Sequence, residues 1–232
     1  MPDATKAAMS IAMIHTVAGL VPTLDKLARR ELEGWEPFNI LDESLLRNTI
    51  REGSLSKATM RRLTQYVWSA VDGGADAVLV TCSSLGPAVD AARRLCPVPL
   101  FRIDTGMALE AVSKSSRIGV LATLPTTLGP TGDVIRRAAA DTGRADCRVT
   151  EELCEGAFQR LSAGAREEHD AIVVDGFRRL APKVDLIVLA QASMANALAP
   201  LGPEPGGVPV LTSPELGMRH VREQLSAGVP RR

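Results

Sequence analysis

The sequence predicts an α/β fold of two pseudo-symmetric parallel-sheet domains with a cleft between them. Three internal matches in the same order predict it. Residues 11–16 (Ile-Ala-Met-Ile-His-Thr) match 118–123 (Ile-Gly-Val-Leu-Ala-Thr) at an offset of 107. Residues 76–82 (Asp-Ala-Val-Leu-Val-Thr-Cys) match 185–191 (Asp-Leu-Ile-Val-Leu-Ala-Gln) at an offset of 109. Residues 98–101 match 208–211 at an offset of 110. Collinear matches at nearly constant spacing point to a duplicated half. Ligands in parallel α/β sheets lie beyond the carboxyl ends of the strands. A cleft between the halves would therefore face Cys82 from one side and Gln191 from the other.

The elements follow in order. Residues 11–17 read as a buried strand and 22–34 as a helix whose leucines at 20, 24, 27 and 32 share one face. Residues 38–41 form a second strand ending in Asp42-Glu43-Ser44. Residues 56–73 make a long amphipathic helix with Ser56 as its cap. The apolar run 77–81 suits a strand covered on both faces. Helix 84–95, strand 100–103 ending at Asp104, and a helix from 106 complete the first half. The second half restarts at Arg117 with strand 118–122, a polar loop through Thr127 and a helix near Asp133. Strand 147–150, helix 166–180, strand 186–190, a helix start at 194–198, strand 210–211 and helix 215–225 follow. Alternating strands and helices call for parallel sheets with helical crossovers. The halves are drawn as 1–113 plus 212–232, and 114–211, with a frayed tail after Gly228.

Composition excludes several classes of function. The 232 residues can bury one substantial core or two small ones. A formal net charge of zero argues against nucleic acid or an anionic membrane as partner. No apolar run reaches the ~18 residues of a membrane span. Residues 1–10 lack the apolar segment of a signal peptide. The cysteines at 82, 96, 147 and 154 form no CxxC pair, and three histidines show no ligand spacing, so no metal site is expected. The thiols read as reduced and the protein as cytoplasmic. Aromatic residues, at 3%, offer no base-stacking platform. There is no G-x-G-x-x-G or P-loop for a dinucleotide or ATP.

The residues able to carry chemistry sit at strand ends. Cys82 precedes Ser83-Ser84 and a helix, where backbone N–H groups favour an anion, whether thiolate or substrate carboxylate. A thiol there serves as base or nucleophile, against the alternative of a small buried apolar residue. Gln191-Ala192-Ser193 is the mirror position; Gln191 donates and accepts hydrogen bonds but exchanges no proton. His15 is open to two roles, general acid or satisfied structural histidine. Thr16 and Thr123 are duplicate positions. Thr123, Thr126 and Thr127 suit either a hydroxyl cradle for a carboxylate or helix capping. Asp42, Glu43 and Asp104 are strand-end carboxylates, candidates for a second acid or base. Cys96, Cys147 and Cys154 lack this setting and read as structural.

At these residues the sequence resembles the aspartate/glutamate racemase superfamily, which includes amino-acid and hydantoin racemases, maleate cis–trans isomerases and arylmalonate decarboxylases. The resemblance covers almost the whole chain. It rests on residues 11–16, on Val80-Thr81-Cys82-Ser83-Ser84, on residues 119–123 with Thr126-Thr127, and on residues 187–190 before Gln191. It implies no cofactor, a small carboxylate substrate between the halves, and carboxylate binding by Ser83, Ser84 and the Ala192 backbone. It also leaves dimerisation open. Racemases of the superfamily place a cysteine on each face of the substrate carbon, and the second falls on Gln191 here. Paired-thiol racemisation is therefore not available. Arylmalonate decarboxylases keep one cysteine, but in the other half; maleate isomerases use the first-half cysteine and normally keep both. The leading expectation is a cofactor-independent isomerase, racemase- or epimerase-like, acting through Cys82 on a small carboxylate or related carbonyl compound. A malonate-type decarboxylase and a non-catalytic carboxylate-binding protein are the alternatives.

Overall fold

A computed structural model of the chain describes residues 9–202 and 204–228; the tail beyond Gly228 lies outside the described residues. The first half runs β1 (Met9–His15), α1 (Val21–Glu31), β2 (Trp35–Leu41), α2 (Glu43–Glu52), α3 (Lys57–Asp72), β3 (Ala77–Val80), α4 (Gly86–Arg93), β4 (Leu100–Arg102) and α5 (Thr105–Lys114). The second runs β5 (Arg117–Ala122), α6 (Pro125–Asp141), β6 (Arg148–Leu153), α7 (Ala157–Ser162), α8 (Arg166–Leu180), β7 (Leu186–Leu189), α9 (Ala195–Leu198), β8 (Val210–Thr212) and α10 (Ser213–Ser226).

The strands form two four-stranded parallel sheets, ordered β2-β1-β3-β4 and β6-β5-β7-β8. The orders are the same strand for strand, so the internal repeat is a repeat of topology. Registers agree too: Ile14 pairs with Val80 in one sheet and Leu121 with Leu189 in the other. Strands β3 and β7 are entirely apolar and buried because helices cover both faces. Edge strands β2 and β6 are only partly buried and are correspondingly polar.

Two helices exceed the sequence reading. Helix α2 begins where Asp42 accepts a hydrogen bond from the Ser44 amide, and it ends at Gly53 with φ 66°. Such a side-chain cap and left-handed glycine are local start and stop signals. Helix α7, six residues long, had too short a pattern to register. Helix α6 starts at Pro125, well before Asp133, and runs through Pro130.

The packing exchanges one helix between the halves. Met107, Ala108, Ala111 and Val112 of α5 join the core of the second sheet. Met218, Val221 and Leu225 of α10 join the core of the first. By packing, α5 covers the second sheet and α10 the first. The two exchanged helices touch each other through glycines. A Cβ on Gly106 would strike the Leu216 backbone, and one on Gly217 would strike the Ile103 backbone. The halves are also tied near the cleft: Ser84 Oγ lies 2.7 Å from Thr127 Oγ1, and Arg102 donates to the Pro130 carbonyl at 3.3 Å.

Candidate active site

Strand β3 delivers Cys82. The Thr81 amide makes the last ladder bond to the Ile14 carbonyl at 3.0 Å, and the chain then turns into a short 3-10 segment, Ser83–Leu85. The Thr16 hydroxyl and the Ser84 and Leu85 amides lie beside the Cys82 thiol and lower its pKa, although the Leu85 amide is itself bonded to the Cys82 carbonyl at 3.1 Å. These donors favour the thiolate, as a helix start does. Part of the residue's surface opens to the cleft, yet the thiol is closely surrounded by protein. Burial is the dominant influence and pushes its pKa up, and the charge of Asp104 adds to this; the three donors only offset it.

Strand β7 delivers Gln191 in the same way. The Ala190 amide bonds to the Leu121 carbonyl at 3.0 Å, and a 3-10 segment, Ala192–Met194, follows. Backbone angles agree closely: φ −125°, ψ 113° at Cys82 and φ −127°, ψ 136° at Gln191. Gln191 Oε1 accepts from the Thr123 amide at 3.0 Å. That bond fixes the orientation of the side-chain amide. Its NH2 group is buried without a protein partner and is the donor left for a ligand.

Both residues line one cavity of about 240 Å³ between the halves. Of the other candidates, Thr16, Ser83, Ser84, Thr127, Ala192 and Ser193 line it with them. Three further contributions were not foreseen: Ser213 at the start of α10, Leu46 of α2, and Phe158 with Leu161 of α7. The capped frame from Asp42 to Gly53 was the signal that could have revealed α2. A larger cavity, about 610 Å³, opens near the amino ends of β3 and β4 beside Asp90 and Arg93, and holds neither Cys82 nor Gln191. The strand-end cavity is the candidate site, because helix starts and unpaired strand-end groups converge at the carboxyl ends of parallel strands.

The other candidates have different placements. His15 is fully buried and does not line the cavity. Asn39 gives its NH2 to Asp25 at 2.9 Å, so its carbonyl oxygen faces His15 and accepts from Nε2 at 2.8 Å. His15 Nδ1 lies 3.0 Å from Thr81 Oγ1. Both ring nitrogens are engaged, and burial lowers the pKa against the opposing pull of Asn39 and Asp25. His15 is thus a structural link between strands, not a group facing the cleft. Asp42 caps α2 and accepts from Arg62 at 2.5 Å and from Tyr66 at 2.9 Å. Burial works to raise its pKa, but Ser44, Tyr66 and Arg62 together hold it below the usual value. Glu43 is exposed and accepts from the Ala18 amide at 3.1 Å. Asp104 is fully buried in a bidentate pair with Arg102 at 2.9 and 2.8 Å. Thr123 contributes its amide to Gln191, and Thr126 buries a hydroxyl without a partner; neither lines the cavity. None of the three carboxylates reaches the cavity, because each is consumed by a cap, a loop or an ion pair.

Two duplicated sheets with strand-end residues facing across one cleft invite comparison with known proteins. A sequence model of Asp/Glu/Hydantoin racemase matches residues 11–221. The chain belongs to the Asp/Glu/Hydantoin racemase family. Among solved structures it is similar to glutamate racemase isoform RacE1 from Bacillus anthracis, with 16% identity and a TM-score of 0.72 over 96% of this chain and 83% of that one. It is also similar to allantoin racemase from Klebsiella pneumoniae, with 17% identity and a TM-score of 0.68 over 95% and 89%. Unliganded arylmalonate decarboxylase gives 18% identity and a TM-score of 0.51 over 96% and 95%. At such identities these likenesses establish the fold. No curated protein sequence matches the chain significantly. Among the described residues no helix is long and apolar enough to cross a membrane, and no cluster of His, Cys, Asp and Glu is arranged to hold a metal ion.

Proposed function

We propose that the protein is a cofactor-independent isomerase acting on a small carboxylate or related carbonyl compound, with Cys82 as its one proton carrier or nucleophile. The observation that carries this reading is the facing pair lining one cavity: a thiol beside the Thr16 hydroxyl and the Ser84 amide on one side, and an oriented side-chain amide on the other. Membership of the racemase family supports the reaction class.

In this reading the Cys82 thiolate removes a proton from the carbon next to the carboxylate, or adds to a conjugated double bond. Negative charge moves onto the substrate oxygens. Ser83, Ser84, Thr127 and the Gln191 NH2 group hold those oxygens and stabilise the enolate-like intermediate where its charge develops. Cys82 then returns the proton to a different carbon of the substrate, which shifts its double bond, or leaves after rotation about the former double bond; return to the same face of the same carbon would only regenerate the substrate. Gln191 has no proton to exchange at neutral pH, so the second face of the substrate carbon is held but not protonated.

A lyase reading has one specific observation in its favour. Burial raises the Cys82 pKa, which keeps the resting group a thiol, suited to donate a proton to a carbanion left by loss of CO2. Cys82→Ser decides whether either reaction runs through this residue. A positioned acid–base group contributes about 10²–10⁴-fold, and a loss of that size in kcat/KM with an unchanged circular dichroism spectrum is expected. Full activity in Cys82→Ser would reject the role. Release of CO2 by the wild type, measured alongside, would select the lyase.

A further inference from the structure

The cavity has two walls of different chemistry. The strand ends supply a thiol, hydroxyls and an amide. The helical wall is mostly hydrocarbon: Leu20 just before α1, Leu24 from α1, Leu46 from α2, Phe158 and Leu161 from α7, and Pro214 from α10, with only Thr23 and Ser213 adding hydroxyls. Helices α2 and α7 are counterparts in the duplication, following β2 and β6 respectively. Each half therefore contributes its own apolar side chains to the wall. Among the residues lining the cavity none is Asp, Glu, Lys, Arg or His.

That composition selects a ligand. Hydroxyls and helix-start amides accommodate a carboxylate at the strand ends. A buried ammonium or a remote second carboxylate needs an opposite charge, and the lining offers none. Hydrocarbon surface instead gains by covering hydrocarbon surface. A cavity of about 240 Å³ also sits below the ~300–1,000 Å³ of drug-sized ligand sites, so the substituent is a branched alkyl group or a single ring. We infer that the substrate is a small carboxylate with an apolar substituent and no ammonium group, and that Leu46, Phe158 and Leu161 determine this specificity. What becomes of the substrate rests on the isomerase reading above; what binds does not.

The test is calorimetric binding to the full chain of 2-phenylpropanoate and 2-methylpentanoate against alanine, aspartate and glutamate. Wild type, Leu46→Arg and Leu161→Arg are compared, with deuterium exchange of each compound followed in parallel. The apolar acids should bind wild type at least about tenfold more tightly than the amino acids, and each arginine variant should lose about tenfold in that binding with its fold intact. Amino acids that bind as well as the apolar acids overturn the inference, as does failure of both series to bind folded wild type. Arginine variants that bind the apolar acids unchanged overturn it too. If neither variant folds, the ranking on wild type decides alone. The expected binding without exchange would sink the isomerase reading and leave this inference standing. Cys82-dependent exchange of an amino acid alone would do the reverse.

Discussion

Cys82 and Gln191 occupy the same place in two copies of one design, and the copies have diverged in what surrounds them. Each follows the innermost buried strand of its sheet, each has extended backbone, and each opens a 3-10 segment. Around Cys82 the neighbouring groups that favour the ionised side chain are donors, the Thr16 hydroxyl and nearby backbone amides. Around Gln191 the side chain accepts from its neighbour, the Thr123 amide, and keeps its own donor buried without a protein partner. Thr16 and Thr123 are themselves counterparts, so one duplicated threonine serves a thiol through its hydroxyl and the other serves an amide through its backbone. A parallel sheet fixes where the strand-end residue points; the residue type there decides whether that point exchanges a proton or only holds an oxygen.

The divergence extends beneath the site. Arg102 and Asp104 form a buried pair at the end of β4, and Arg102 also reaches Asp90 at 2.7 Å and the Pro130 carbonyl across the cleft. At the matching places at the end of β8 the second half has Thr212 and Pro214. Gly86 belongs to the same arrangement, since a Cβ there would run into the Arg102 guanidinium, whereas its counterpart is Ala195. Only the cysteine-bearing half has this ion pair under its strand end.

Breaking that pair should have the largest effect on stability. Arg102→Ala leaves Asp104 buried without its partner, and a loss of about 3–5 kcal/mol is expected, read by chemical denaturation. Thr212→Ala, at the matching position, should cost far less. A smaller loss is expected at Gln191. Gln191→Leu leaves the Thr123 amide without its acceptor, for about 1–3 kcal/mol, and removes the donor facing the ligand, so KM should rise as well. Gln191→Glu keeps an acceptor for Thr123 but replaces the donor with a negative charge, so it should spare stability and still raise KM. Equal effects of the two substitutions on stability would mean that the Thr123 bond contributes nothing.

The smallest effect is on pH dependence, and it distinguishes the two roles of the thiol. The folded Cys82 holds its proton more tightly than the unfolded chain does. Its contribution to stability is therefore fully present below the unfolded thiol's pKa, about 8.5, and is lost as pH rises through the folded value. If Cys82 acts as a base, kcat/KM climbs with pH through the same raised pKa. If it acts as a proton donor, kcat/KM is flat at neutral pH and falls there. Loss of either trend in Cys82→Ser would assign it to this group.

Much of this comparison was legible in the sequence. The buried strands are runs of apolar residues bounded by punctuation, and their offsets of 107, 109 and 110 displayed the duplication directly. Cys82, Gln191, Ser83, Ser84 and Thr127 were legible as site candidates because strand ends are where parallel sheets present side chains. The rest depended on contacts far apart in the chain. His15 looked available because nothing local shows that Asn39 and Thr81 engage both its nitrogens. Asp104 looked like an acid or base, although Arg102 stood two residues away and already matched it in charge. The apolar wall was missed because α7 spans only six residues and α2 lay hidden behind the expectation that Asp42 and Glu43 were site groups. The docking of α5 on the second sheet left no local trace, since the helix has an ordinary apolar face whichever sheet it covers.

The central claim is that proton transfer is one-sided, through Cys82 and not through Gln191. The most direct test is the stereochemistry of deuterium uptake from deuterated buffer into a turned-over carboxylate, resolved by chiral NMR analysis, for wild type, Cys82→Ser and Gln191→Cys. Uptake on a single face in wild type, its disappearance in Cys82→Ser, and new uptake on the opposite face in Gln191→Cys are the predicted results. Equal uptake on both faces in wild type, or uptake that survives in Cys82→Ser, would contradict the account.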